Sequence, residues 1–256
     1  MSIDPSIYLV AVPAVILVGL AKGGMGEALA LMGVPILAMA VPPVQAAAVF
    51  LPLLVISDIV SLWMWRRHND RRTLQFLLPG GIVGIALGWA TSAYVPRDAL
   101  RLIIGAITIF FALRYFYGQW RLRHGIVIPP KSQRVGPAAF FGMLAGYGSF
   151  VAHAGGAPFQ VYALPLKLPP RDYTGAIVRY FAILNAVKLI PYFALGQLDK
   201  TNLTISATLA PLAMVATAAG GYLVKRMKTE VFYPFMYTMA LMAGLKLAYD
   251  GLASLV

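Results

Sequence analysis

A glycine-rich segment near the start of the chain places two charged side chains within an apolar stretch. Residues 21–28 read "AKGGMGEA", so that Lys22 and Glu27 flank Gly23 and Gly24. A lysine at the centre of a membrane helix costs about 2.5–3.5 kcal/mol on insertion scales. Lys22 therefore either pairs with Glu27, extends to the membrane surface, or neutralises a bound anion. We predict that Lys22, Gly23 and Gly24 bind an anion, and that Glu27 balances charge or carries a proton.

A second glycine pair follows a histidine in the other half of the chain. Residues 151–160 read "VAHAGGAPFQ", with His153 before Gly155 and Gly156, and Gln160 beyond them. Histidine titrates near neutral pH, so His153 either accepts a coupled proton, donates a hydrogen bond to an anion, or is a satisfied structural residue. We predict that all four residues contribute to substrate binding.

Two further apolar stretches, 44–64 and 174–196, carry polar residues that are candidates for the same site. Asn185 and Lys188 are three residues apart and share one face of a helix, whereas Arg179 lies nearer its cytoplasmic end and either snorkels or joins the site. Aligning "VPP" at 41–43 with "LPP" at 168–170 gives Asp58 the position of Asn185. We predict that Asn185 and Lys188 bind the substrate, with an ion pair between Lys188 and Asp58 as the alternative. Asp58 is then a counter-ion or a proton carrier.

Composition sets the class of protein that carries these residues. The chain of 256 residues is 60% hydrophobic and 12% charged, with a mean hydropathy of +0.76, which indicates an all-α polytopic membrane protein. Seven apolar stretches are about long enough to span a bilayer: 44–64, 74–93, 99–118, 137–152, 174–196, 203–223 and 231–250. The stretches 6–21, 28–42 and 157–166 are too short for comfortable spans.

The net charge of +12 is concentrated in a few short loops. Basic clusters around Arg66, Arg121 and Lys225 are placed in the cytoplasm by the excess of Lys and Arg found in cytoplasmic loops. This distribution explains the charge without a nucleic-acid partner. It also puts both termini in the periplasm, and it assigns Trp63 and Trp65 to a membrane interface.

The two halves of the chain repeat one pattern. Gly23 and Gly24 match Gly155 and Gly156, Pro79 matches Pro211, and both matches have an offset of 132 residues. With the charge clusters, this predicts two inverted repeats, each a glycine-broken hairpin followed by three transmembrane helices. The first repeat covers 1–118, a cytoplasmic linker covers 119–136, and the second repeat covers 137–256. Such inverted repeats are typical of secondary transporters with a site near the bilayer midplane.

The segments "KGGMGEALALMGVPILAMAVPPVQAAAVFLPLLVISDIVSLWMWRRH" and "HAGGAPFQVYALPLKLPPRDYTGAIVRYFAILNAVKLIPYFALG" resemble the sulfite exporter TauE/SafE family, also called the toluene sulfonate uptake permeases. The resemblance implies movement of sulfite, an organosulfonate or a related small anion across the bacterial inner membrane. It leaves the particular anion, the direction, the coupling ion and the oligomeric state open. The glycine breaks agree with an anionic substrate, because a helix that begins at glycine presents backbone N–H groups and the positive end of its dipole.

Other classes of function find less support in the sequence. The chain contains no G-x-S-x-G or H-E-x-x-H motif, and its histidines at 68, 124 and 153 are scattered. We therefore expect no enzyme activity, cofactor or metal, with membrane lipid, a small anion and coupled protons as the partners. A channel or a structural membrane subunit is the alternative to a transporter.

Overall fold

The computed structural model describes residues 6–91, 94, 97–123, 130–194 and 199–253. These residues form ten α-helices joined by short connections, which confirms the predicted all-helical fold. The first five helices are α1 (Ser6–Leu20), α2 (Glu27–Leu37), α3 (Pro43–Met64), α4 (Arg71–Thr91) and α5 (Arg97–Arg123). The others are α6 (Val135–Val151), α7 (Gly156–Ala163), α8 (Pro170–Ala194), α9 (Lys200–Arg226) and α10 (Thr229–Ala253). A π-helical turn (Ala21–Met25) follows α1, and a 3₁₀ turn (Leu164–Leu166) follows α7.

Seven helical segments of the described chain are long and apolar enough to cross a membrane, which confirms the predicted number but corrects its membership. The first stretch, expected to be too short, continues from α1 through the π-helical turn and reaches 19 residues at 7–25. Conversely, the predicted span 137–152 corresponds to α6, which has only 17 residues and is not among the seven. The difference arises because helical backbone extends to Gly23 in the first half, up to the kink at Gly24, while in the second half it ends at Val151, four residues before Gly155.

Both glycine-rich segments join the arms of a hairpin. Gly33 of α2 lies against Val18 of α1, so the two helices pack on each other on either side of the first break. At the second break Ala154 donates its backbone N–H to Gly148 O, which folds the chain back towards α6. Residues 124–129 of the predicted linker lie outside the described part of the chain, between α5 and α6.

Small residues set the tightest helix contacts. Helices α4 and α6 meet backbone to backbone, and a Cβ added at Gly146 would lie 2.0 Å from Gly81 O. Helices α1 and α9 meet in the same way, with a Cβ at Gly220 falling 2.4 Å from Leu20 O. Small residues permit this approach in membranes, where packing rather than hydrophobic exclusion drives helix association. These two contacts hold each hairpin against a helix of the other half of the chain.

Candidate functional site

A cavity of about 100 Å³ lies between the two hairpin breaks and helices α3 and α8. Its polar lining consists of Lys22, Asp58, Ser149, His153, Asn185 and Lys188. Glycine backbone lines it at Gly24, Gly26 and Gly155, and apolar side chains such as Val18, Phe50 and Phe181 complete the wall. A water molecule requires about 10–15 Å³ measured in this way, so the space accommodates a compact polar ligand. Residues from both halves of the chain therefore meet in one place.

The first break depends on glycine geometry. Gly24 has φ +120° and Gly26 has φ +106°, a region that L side chains rarely adopt. Gly26 caps the N-terminus of α2 without a side-chain hydrogen bond, and Gly155 likewise precedes α7. Both cap residues line the cavity, so the N-terminal ends of two helices border it. Backbone N–H groups at such ends favour anions.

One face of α3 holds the π-helical turn in place. Asp58, Ser61 and Trp65 recur at helical spacing, so they point in one direction. Asp58 Oδ1 accepts from Lys22 Nζ at 2.5 Å, and Ser61 Oγ donates to the carbonyl of Lys22 at 2.7 Å. Trp65 Nε1 donates to the carbonyl of Gly23 at 3.2 Å. Three groups of the π-helical turn therefore have partners on this face of α3: the Lys22 ammonium, the Lys22 carbonyl and the Gly23 carbonyl.

Asp58 links the two halves of the protein. Its side chain is buried, with Oδ2 accepting from Asn185 Nδ2 at 2.6 Å while Oδ1 binds Lys22. The contact joins the two positions that match when the Pro-Pro segments are aligned. The observed ion partner of Asp58 is Lys22. Glu27, the alternative partner expected for Lys22, begins α2, but its side chain lies outside the described part of the structure.

The second break presents a lysine and a histidine to the cavity. Lys188 is 1% exposed and donates to Ser149 Oγ on α6 at 3.0 Å. His153 has φ +53°, and its Nε2 lies 3.3 Å from the hydroxyl of Tyr192. Both residues line the cavity.

Three residues that the sequence assigned to the site are not part of the cavity lining. Gly23 is pressed against α9, where an added Cβ would lie 2.4 Å from Gly221 N. Gly156 is the first residue of α7. Gln160 is fully buried in α7, and neither of its amide atoms has a hydrogen-bond partner in the described structure. Direct binding by these three residues remains a prediction.

Sequence reasoning missed Ser61, Ser149 and Trp65. Trp65, expected at a membrane interface, is fully buried and hydrogen-bonded to the break. The spacing of Asp58, Ser61 and Trp65 was a usable signal, because it places all three on one helix face. Ser149 carried no such signal, since its contact with Lys188 joins α6 to α8.

Arg179 has a structural position away from the cavity. Its guanidinium donates to the carbonyls of Trp65, Arg66 and His68 at 3.2, 3.0 and 2.6 Å, beyond the end of α3. Carbonyls at a helix C-terminus lack intrahelical partners and carry partial negative charge. Arg179 therefore ties α8 to the end of α3, and this role replaces the expected choice between snorkelling and binding.

Comparison with known proteins gives one further finding. Residues 11–247 match the family model described as "Sulfite exporter TauE/SafE", which confirms the resemblance drawn from the two quoted segments. The comparison with curated proteins and the comparison with solved structures each found no match.

Proposed function

The chain belongs to the sulfite exporter TauE/SafE family, and on that basis we propose that it carries sulfite or a small organosulfonate across the bacterial inner membrane by alternating access. Members of this family are multi-pass membrane transporters of sulfite and other sulfur anions, and they are not enzymes. The observation that carries the proposal is the cavity bordered by two glycine-capped helix ends and lined by Lys22 and Lys188.

Attraction in this cavity would come from several sources. Lys22 and Lys188 supply positive charge, and the ends of α2 and α7 supply backbone N–H groups. His153 and Asn185 add directional hydrogen bonds at the wall. Charge interactions strengthen where water is scarce. Partners for Lys22 within the protein, such as Asp58, keep the binding weak enough for release.

The size of the cavity favours the smaller members of the substrate class. Pockets for drug-sized ligands measure about 300–1,000 Å³, whereas this cavity measures about 100 Å³. A compact head group such as sulfite or a short-chain sulfonate fits this space better than an aromatic sulfonate. We therefore infer a compact sulfur oxyanion as the substrate.

Reciprocal packing supports two inverted repeats and hence alternating access. If α1 to α5 correspond in order to α6 to α10, the main contacts between the halves have counterparts. Helix α1 packs on α9 and α6 on α4, while α2 packs on α10 and α7 on α5. The corresponding helices α3 and α8 contact each other, as do α5 and α10. Such an arrangement lets one pair of hairpins rock about a central site.

Substitution of the two lysines tests the anion site. Lys22→Ala and Lys188→Ala should each weaken binding of sulfite and methanesulfonate by about tenfold to a hundredfold, the effect of losing a hydrogen bond to a charged group. Binding is read from the thermal stabilisation of the purified protein by each anion. Lys246→Ala is the matched control, because Lys246 pairs with Asp250 on α10 and does not line the cavity.

Two outcomes contradict the proposal. If both variants bind and transport the anions like the parent, the lysines are structural and the proposed site is wrong. If proteoliposomes show ohmic, non-saturating flux instead of saturable uptake, the protein is a channel.

A further inference from the structure

The Asp58 carboxylate, at the wall of the cavity, is held by two donors as a bound anion would be. One oxygen accepts from Lys22 Nζ at 2.5 Å, and the other accepts from Asn185 Nδ2 at 2.6 Å. An ammonium and a side-chain amide are also the donors that a sulfur oxyanion requires. A substrate anion bound to these two groups would compete with this carboxylate.

Building on the proposed function, we propose that Asp58 is a tethered competitor of the substrate and that its protonation admits the anion. While the carboxylate is ionised, it holds Lys22 and Asn185. A proton from solution converts it to a carboxylic acid, which no longer carries the charge that pairs with the ammonium. The substrate anion then takes the vacated place beside Lys22.

The exchange leaves the net charge around Lys22 unchanged. In the empty state Lys22 faces an ionised Asp58, and in the loaded state it faces the substrate anion beside a neutral Asp58. A second ionised anion beside the same ammonium would be repelled by the carboxylate in a poorly solvated space. One proton therefore accompanies each monoanion, and release of the anion on the far side lets Asp58 lose that proton and recover Lys22.

Other titratable groups near Asp58 make competing assignments testable. Among the described residues, His153 faces the cavity from the loop before α7, and Lys188 faces it from α8. Glu27 begins α2 next to the cavity-lining Gly26, and its side chain lies outside the described part of the structure. Glu27→Gln makes the same chemical change in the other carboxylate predicted to belong to the site, and it therefore tests the competing assignment of the proton to Glu27.

Calorimetry in buffers of different ionisation enthalpy measures the protons taken up when the full-length protein binds methanesulfonate. This probe stays a monoanion throughout the working pH range. We expect the parent, His153→Gln and Glu27→Gln to take up about one proton per anion, and Asp58→Asn to take up none. Asp58→Asn should also bind more tightly than the parent at neutral pH, because every molecule then lacks the carboxylate charge that competes with the anion.

Each result decides between outcomes. If the parent binds the anion without taking up a proton, the role of Asp58 is overturned but the proposed function stands. Weaker binding by Asp58→Asn has the same two consequences. If Glu27→Gln or His153→Gln no longer takes up a proton, the proton belongs to that residue and the role of Asp58 is again overturned. This result can be obtained even if Asp58→Asn does not fold. A parent that binds neither methanesulfonate nor sulfite instead defeats the proposed function.

Discussion

Replacement of Gly146 by alanine should destabilise the protein through the contact between α4 and α6. The added Cβ would lie 2.0 Å from Gly81 O, whereas ordinary contact begins at 3.4 Å, so the helices must separate by about the difference of 1.4 Å. The obstacle is backbone and cannot rotate away. Overpacking of this kind costs typically about 1–3 kcal/mol, and a gap of 0.5–1 Å already forfeits about a quarter to a half of each neighbouring dispersion contact.

A second glycine of the same helix supplies the control. Nothing lies within 4 Å of a Cβ added at Gly136, so Gly136→Ala changes helix propensity without touching a neighbour. Alanine is favoured over glycine in a helix by about 1 kcal/mol. With a packing cost of about 3 kcal/mol, the net loss for Gly146→Ala is about 2 kcal/mol. Gly136→Ala should be neutral or slightly stabilising.

Thermal unfolding of both purified variants measures the effect. A loss of about 2 kcal/mol corresponds to a fall in the midpoint of roughly 4–8 °C for a chain of this size. Equal midpoints for Gly146→Ala and the parent would refute the reasoning, because the contact between α4 and α6 would then tolerate an extra carbon where the structure leaves no space. A fall shared by Gly136→Ala would refute it as well, since packing would not be the cause.

Two further predictions concern the tryptophans and the orientation in the membrane. Trp65→Phe should lower the free energy of unfolding by about 1–3 kcal/mol, because the buried carbonyl of Gly23 loses its Nε1 donor. Thermal unfolding measures this loss. An equal loss in Trp63→Phe, at an exposed position, would contradict the prediction. Reporter fusions should place both termini in the periplasm and Arg66 in the cytoplasm, as the basic clusters predict, whereas a cytoplasmic C-terminus would overturn the inverted-repeat assignment.

The sequence by itself determined the helical membrane class, six of the seven candidate spans and the family. Hydropathy over about 20 residues is a local property, and a bilayer requires every spanning backbone group to be satisfied within its own helix. The glycine pairs at 23–24 and 155–156 mark breaks, whereas those at 80–81 and 220–221 lie inside α4 and α9, so a glycine pair does not by itself determine a break. The alignment of the repeats even paired Asp58 with Asn185, which the structure brings to 2.6 Å between Oδ2 and Nδ2.

Tertiary structure alone decided which charges meet and where the helices end. Lys22 has Glu27 five residues away in sequence, yet its observed ion pair is with Asp58 on another helix, 36 residues away. The same packing brings Ser149 to Lys188 and buries Trp65 beneath the first break. Contacts between helices depend on which faces pack at close range, and small residues such as Gly146 set that distance in three dimensions. Hydropathy and spacing within one helix carry no information about that distance, so the cavity emerged only when the helices were placed together.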